Sequence, residues 1–385
     1  MDDDRATIRY VDRLLADAAR LRASDIHLQP ESNSLRIRLR VDGLLREAAS
    51  PPPAALRSRV IARIKLLAEM DVAEQRRPQD GRLQAEGPNG RTIQFRAASC
   101  PGIHGEKLVL RRIESDAPQT LADLEMPPTT RQELESALDR PDGLILVTGP
   151  TGSGKTATLH AALRRLNTPE LNICAVEDPV EVALPGVTQV AVNRRAGVDF
   201  ATALRAFLRQ DPDIIMIGEI RDTETASIAV KAAQTGHRVL STLHTRTAAG
   251  AIERLARMGI PTHDLASSLN LVVAQRLVRR LCRHCRTPVR SDLEPWAAAE
   301  APASYQAGQC THCRDGFHGR CGVFQALPVR GSITEAILAG AGARQIQKAA
   351  GADAAEDLYR AGQHLVAAGI TSLRELHRVT QEPAT

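Results

Sequence analysis

The run Gly149-Pro150-Thr151-Gly152-Ser153-Gly154-Lys155-Thr156 fits G-x-x-x-x-G-K-[ST] and follows the apolar stretch Leu144-Ile145-Leu146-Val147. A buried parallel strand feeding a Gly-rich turn and a helix is the context this pattern needs. Glycines let backbone N–H groups close around phosphate oxygens, and the helix N-terminus adds partial positive charge. Lys155 then neutralises the β- and γ-phosphates, and the Thr156 hydroxyl ligates Mg²⁺. The plainer reading is a Gly-rich turn that happens to match. Strand, loop and helix in one register weigh against it, so the chain is expected to bind a nucleoside triphosphate.

A second set of reactive residues is Cys282-x-x-Cys285 and Cys310-x-x-Cys313. Two such knuckles place four thiolates tetrahedrally, which suits a structural Zn²⁺. Free cytosolic thiols or a redox pair are the alternatives. Cys321 follows closely enough to be a spare thiol, while Cys100 and Cys174 read as buried small apolar residues. A third set lies after apolar runs: Glu177-Asp178-Pro179-Val180-Glu181, Gly218-Glu219 and His244. In an open α/β sheet the ligand sits beyond the carboxyl ends of the strands, so these groups should converge on the Gly-rich loop. Phosphoryl transfer to water needs an acid to hold the Mg²⁺ shell and a carboxylate to position the water. Either Glu219 or Glu181 fits the latter role.

The elements that must hold these groups divide at a polar stretch. Ile8, Val11, Leu14, Leu15, Ala18 and Leu21 recur at helical spacing; residues 24–30 read as a short strand, and Leu35–Val41 alternates strictly. With a helix near 56–67 and strands at 92–98 and 107–113, an α+β domain is expected over 1–113, then a linker at 114–122. Residues 123–385 alternate apolar strands with helices, the pattern of a doubly wound parallel sheet. Within them fall a zinc subdomain at 280–325 and a helical region at 331–382. The overall class is α/β.

Composition narrows the function. The 385 residues exceed one ordinary core. No apolar stretch reaches the roughly 18 residues of a membrane span, and the acidic Met1-Asp2-Asp3-Asp4 is no secretory signal. A cytoplasmic location with at most peripheral membrane contact is expected. Net charge is +5, and aromatics are only 2%. That scarcity argues against a nucleic-acid motor built on base stacking, so no direct nucleic acid is expected.

Several stretches together resemble the secretion and pilus-assembly ATPases of type II secretion systems and type IV pili. They are Ala23-Ser24-Asp25-Ile26-His27, Arg40-Val41-Asp42-Gly43, the Gly-rich loop, Glu177-Asp178-Pro179-Val180-Glu181, Arg209-Gln210-Asp211-Pro212-Asp213, Gly218-Glu219-Ile220-Arg221-Asp222, Thr235-Gly236-His237, Ser241-Thr242-Leu243-His244-Thr245, Ala274-Gln275-Arg276-Leu277 and Gly319-Arg320. The resemblance implies a RecA-like P-loop motor domain after a PAS-like domain, assembled as a homo-hexamer with ATP, Mg²⁺ and Zn²⁺. It implies that Glu219 is the Walker B glutamate and Glu181 the acidic-box glutamate that polarises water. His237 and His244 match residues that sense the γ-phosphate or link subunits. Arg96, Arg111, Arg205, Arg209, Arg221 and Arg320 match arginines around the nucleotide. Inner-membrane platform proteins of a secretion or pilus machine are the implied partners. Larger members carry an extra N-terminal domain that is not seen here, and Gly351–Asp357 fits the usual pattern loosely.

Retraction motors resemble this chain but lack the cysteine knuckles, so extension or secretion is favoured over retraction or DNA uptake. An idle nucleotide-binding scaffold is the third class of function; the presence of Lys155, Glu181 and Glu219 together speaks against it.

Overall fold

The computed structural model of the chain describes residues 2–48, 51–86, 90, 92–113, 120–289, 304–351 and 357–380. Contacts divide the chain into two compact units, Met1–Ala117 and Pro118–Thr385. Most of the expected linker at 114–122, and the loosely fitting positions 352–356, lie outside the described residues.

In the first unit, strands β1 (Asp25–Pro30), β2 (Leu35–Val41), β3 (Leu44–Glu47), β4 (Gln79–Glu86), β5 (Thr92–Cys100) and β6 (Lys107–Ile113) form one antiparallel sheet, ordered β3-β2-β1-β6-β5-β4. Helices α1 (Asp2–Arg20) and α2 (Arg57–Leu67) supply Val11, Leu14, Val60 and Ile64 to a core shared with Ile26, Leu28, Phe95 and Leu110. The strict alternation of β2 is realised: Leu35, Ile37, Leu39 and Val41 are buried, and the intervening arginines take the other face. β4 had no sequence signal, because only Leu83 of its residues is buried. It is an edge strand, and edge strands are often polar. Cys100, expected inside, is exposed, because its side chain falls on the outer face of β5.

The second unit centres on a seven-stranded sheet of β7 (Gly143–Thr148), β8 (Ile173–Glu177), β9 (Val187–Ala191), β10 (Ile214–Ile217), β11 (Arg238–Leu243), β12 (Leu269–Leu281) and β15 (Phe317–Pro328), ordered β15-β12-β7-β11-β10-β8-β9. A small hairpin, β13 (Thr287–Val289) with β14 (Ser304–Gln306), lies between β12 and β15 in sequence. Helices α3 (Pro128–Leu138) and α4 (Lys155–Leu166) cover one face over Ile145, Val147, Ala175 and Met216. Helices α5 (Phe200–Phe207), α6 (Thr223–Gln234) and α7 (Ala248–Arg257) cover the other over Leu144, Leu146, Val176 and Ile217. Burial on both faces explains why these strands read as unbroken apolar runs.

The sheet is not wholly parallel, as the doubly wound pattern had suggested. β15 runs antiparallel to β12, and the pair continues past the sheet as a two-stranded ribbon. β12 is paired with β7 only as far as Ala274 opposite Thr148; from Gln275 onward it is paired with β15 alone. After β15 come α8 (Thr262–Ser268)-packed α9 (Ser332–Leu338), α10 (Ala343–Ala349) and helices Leu358–Ala367 and Leu373–Val379. This last region is helical, as the Ala-rich sequence indicated.

Candidate active site

The Gly-rich loop leaves β7 at its carboxyl end and enters α4 at Lys155. Two contacts fix its base. The Gly149 N–H donates to the Leu243 carbonyl at 3.3 Å, and the Thr245 N–H donates to Thr148 Oγ1 at 3.0 Å. The end of β11 is thereby stitched to the start of the loop. Gly154 has φ +88°, and a Cβ there would lie 2.8 Å from Gln275 Nε2, so glycine is required both by conformation and by space. Gln275 in turn accepts a 2.8 Å bond from Thr158 Oγ1 on α4.

Lys155 is 8% exposed, and its Nζ donates to the Gly149 and Pro150 carbonyls at 2.9 and 3.1 Å. Burial lowers its pKa to about 8; nearby Glu219 raises it, and Arg276 lowers it further. Arg276 is itself 7% exposed, and desolvation and Arg246 push its pKa down. Cations crowded in this way favour an anion among them. In the same loop Ser153 Oγ is buried with no hydrogen-bond partner among the described residues, and Thr156 is exposed on the first turn of α4. This donor set fits a polyphosphate with a Thr-held Mg²⁺.

Glu219 follows β10 and is held between Arg221 and His244. His244 Nε2 lies 3.2 Å from Glu219 Oε2, and Arg221 bonds Glu219 Oε1 while reaching Asp178 at 3.6 Å. Desolvation raises the Glu219 pKa, but Arg221 and His244 together outweigh it and the net direction is down. The carboxylate is thus kept ionised, the form that can orient a water or a hydrated metal.

The structure does not bring all the expected residues to this point. Glu181 is exposed in the loop between β8 and β9, with no hydrogen bond or ion pair to a described residue. His237 precedes β11, and its carbonyl accepts from the Gly143 N–H at the start of β7, the end of these strands opposite the loop. The length of β11 separates it from the loop, about 20 Å at the usual rise per residue. Its Nδ1 lies 3.0 Å from the Ala232 carbonyl. Arg205 pairs with Glu224, and Arg209 is exposed just beyond α5. Arg320 sits opposite Arg279 on the ribbon, four residues past Gln275 and so about 13 Å along the strand. In the first unit, Arg111 is bonded to Asp25 at 3.0 Å and Arg96 to Asp80 at 3.4 Å.

Sequence reasoning missed a buried network behind the loop. His160 of α4 and Glu177 at the end of β8 are 2% and 3% exposed and meet at 3.0 Å. The other Glu177 oxygen accepts from Gln189 Nε2 at 2.8 Å, and that group also bonds the Val182 carbonyl at 2.9 Å. The acidic box is thus anchored from below by Glu177. A lone histidine within the apolar run of α4 was the available signal.

The four cysteines converge at the ribbon's tip, with Sγ atoms all within 4.8 Å of one another. The closest pairs are Cys285–Cys313 and Cys310–Cys313 at 3.5 Å and Cys282–Cys310 at 3.7 Å. Zinc–sulfur bonds of ~2.3 Å in a tetrahedron put sulfurs roughly 3.8 Å apart. No two are bonded as a disulfide, so the donor set and spacing fit Zn²⁺.

A cavity of about 840 Å³ opens beside the loop. Pro150, His244 and Arg276 line one side, and Arg344, Tyr359, His377 and Arg378 line the other.

The family described as Type II/IV secretion system protein matches residues 1–378. The chain belongs to this family. Among curated relatives of this secretion family, the type IV pilus assembly ATPase PilB of Acinetobacter baylyi is 45% identical over 99% of this chain and 68% of its own length. The type II secretion system protein E of Klebsiella pneumoniae is 44% identical over 99% of this chain and 77% of its own. Among solved structures, the ATPase DotB of Legionella pneumophila superposes with a TM-score of 0.71 at 22% identity, covering 96% of this chain and 95% of that one. The pilus retraction motor PilT with bound ADP gives 0.62 at 24% identity, with 96% of each chain covered. These two likenesses show that the chain shares their fold. No helix among the described residues is long and apolar enough to cross a membrane.

Proposed function

We propose that this secretion-family chain hydrolyses ATP to power assembly of a type IV pilus or a type II secretion pseudopilus. The observation that carries this reading is the Glu219 carboxylate, held ionised by Arg221 and His244 within electrostatic reach of the buried Lys155.

In this reading Lys155 exchanges two loop carbonyls for the β- and γ-phosphates, while loop N–H groups and Ser153 surround them. Thr156 would hold Mg²⁺, which would supply neutralisation of phosphate charge. Glu219 orients the attacking water or the metal's hydration shell; His244 and Arg221 hold it in place. Glu181, exposed on the loop between β8 and β9, is the second candidate for the water. The nucleoside fits the adjacent cavity, whose volume lies in the ordinary range for ligand sites, roughly 300–1,000 Å³.

Arg205, Arg209, Arg320 and His237, which stand away from the loop, suit contacts with nucleotide or side chains of neighbouring copies in a homo-hexamer. A guanidinium arriving in trans stabilises charge on the transferred phosphoryl group. Inner-membrane platform proteins are the proposed partners, with peripheral attachment from the cytoplasmic side and no direct nucleic acid. The PilB and secretion protein E relatives at 45% and 44% identity carry assembly and secretion names, whereas the retraction motor is 24% identical. Assembly or secretion is therefore preferred to retraction or DNA uptake.

The test is Mg²⁺-dependent ATP turnover by the purified chain. Lys155→Ala should abolish ATP binding, while Glu219→Gln should retain binding and lose hydrolysis. Parent-like turnover by Glu219→Gln would remove this residue from the mechanism.

A further inference from the structure

Glu375, on the C-terminal helix Leu373–Val379, is 2% exposed, and its carboxylate is shared between two arginines that face different parts of the molecule. On the ribbon side, the Arg279 backbone N–H donates at 3.1 Å and its Nη2 at 2.9 Å. On the cavity side, Arg378 donates from Nε at 3.0 Å and from Nη2 at 2.5 Å. Arg279 lies three residues before Cys282; Arg378 lines the cavity that also contains Pro150 of the Gly-rich loop.

The segment between the two C-terminal helices also grips the ribbon just before its tip. The Leu281 N–H donates to the Ile370 carbonyl at 2.8 Å, and Thr371 Oγ1 donates to the Arg279 carbonyl at 2.8 Å. The Arg279 guanidinium rests 3.8 Å over the ring of Phe317, which is paired across the ribbon with Leu281.

We propose that Glu375 is a positioning residue that couples metal held at the ribbon tip to nucleotide held in the cavity. This rests on the reading of the loop and its cavity as the ATP site. Four thiolates drawn to one ion fix the adjacent Leu281–Phe317 pairing. Loss of the ion frays that pair, removes the ring beneath Arg279 and frees Arg279 from Glu375. A carboxylate this deeply buried is stable as a charge only while its bonds are made. Losing one arginine displaces the helix, and Arg378, Val379 and Thr380 leave the cavity wall with it. Coupling of this kind is reciprocal, so nucleotide strengthens metal binding by the factor that metal strengthens nucleotide binding.

The experiment is calorimetric ATP binding to the full chain, before and after a chelator strips the metal and after Zn²⁺ restores it. Stripping is expected to weaken ATP binding about fivefold or more, the low end of measured couplings, and restoration to reverse it. In zinc-loaded Glu375→Gln and Arg378→Gln, ATP binds more weakly than in the parent and stripping has no further effect. Arg378→Gln cuts the link on the cavity side while leaving Arg279 on Glu375. A drop in its ATP affinity on stripping would mean the ribbon acts by general unfolding, and would overturn the proposal. Equal ATP affinity in loaded and stripped parent, with Lys155→Ala unable to bind, overturns the coupling and leaves the ATP site standing. No ATP binding by the loaded parent overturns both.

Discussion

Arg96 and Arg111 stand directly opposite one another on β5 and β6, the middle of a cross-strand row that runs Arg82, Arg96, Arg111, Asp25, Arg40. Like charges facing across strands are destabilising, and Asp25 is the row's single counter-charge, bonded to Arg111 at 3.0 Å and reaching Arg40 at 3.5 Å. A row of guanidiniums held at a cost in stability suits a polyanion. Replacing both Arg96 and Arg111 by Ala is expected to preserve or raise the urea midpoint of unfolding while abolishing ATP turnover. Asp25→Ala should do the reverse to stability, lowering it by about 1–3 kcal/mol. Undiminished turnover in the double variant would make these arginines structural ornaments of the sheet.

The depressed pKa of Lys155 makes ATP binding depend on pH. Without phosphate the amine titrates near 8, because burial disfavours its charge. Bound phosphates favour the charged form and raise the pKa. Between these two values the complex holds a proton that the free chain lacks. Binding above pH 8 should therefore take up close to one proton, and affinity should fall as pH rises further. Calorimetry in buffers of different ionisation enthalpy measures the uptake; none at pH 8.5 would contradict the assignment.

Lys65 and Glu106 form an ion pair at 2.8 Å with side chains 1% and 4% exposed, and Lys65 also donates to the Glu74 carbonyl at 2.7 Å. Removing one member of a buried pair strands the other's charge and costs about 3–5 kcal/mol. Lys65→Met should show that loss in denaturant unfolding. The double change Lys65→Met with Glu106→Leu should recover most of it, since no charge is then left buried.

One Zn²⁺ per chain is expected at Cys282, Cys285, Cys310 and Cys313. Changing any one of the four to Ser should lower the metal content measured by elemental analysis and make the ribbon susceptible to proteolysis. Cys321→Ser, whose thiol is buried in β15, should leave metal content unchanged.

Much of this was readable from the chain because the signals are local. The Gly-rich loop, the two knuckles and the alternating β2 each occupy a short window with its own physical reason. What was not readable depends on long-range pairing. The apolar start of β12 looks like any strand buried on both faces, and nothing local says that it will outrun the sheet and pair with β15. Glu177 was read only as the first acid of a box, because its partners His160 and Gln189 belong to other elements. His237 was grouped with His244 by motif, although its place before β11 rather than after it puts it at the other end of that strand. The zinc subdomain at 280–325 has no local signal that ties it to the C-terminal helices; the shared carboxylate of Glu375 is invisible until both arginines are placed.

The thirteen residues of β12 also have a mechanical meaning. Its near half is clamped in the sheet against β7, its middle presses Gln275 onto Gly154, and its far half pairs with β15 and is held by Ile370, Thr371 and Glu375 of the C-terminal region. One strand thereby touches the sheet, the glycine loop, the C-terminal helices and, one residue past its end, the first of the four cysteines. A strain applied at any of these places would be borne by the same stretch of backbone.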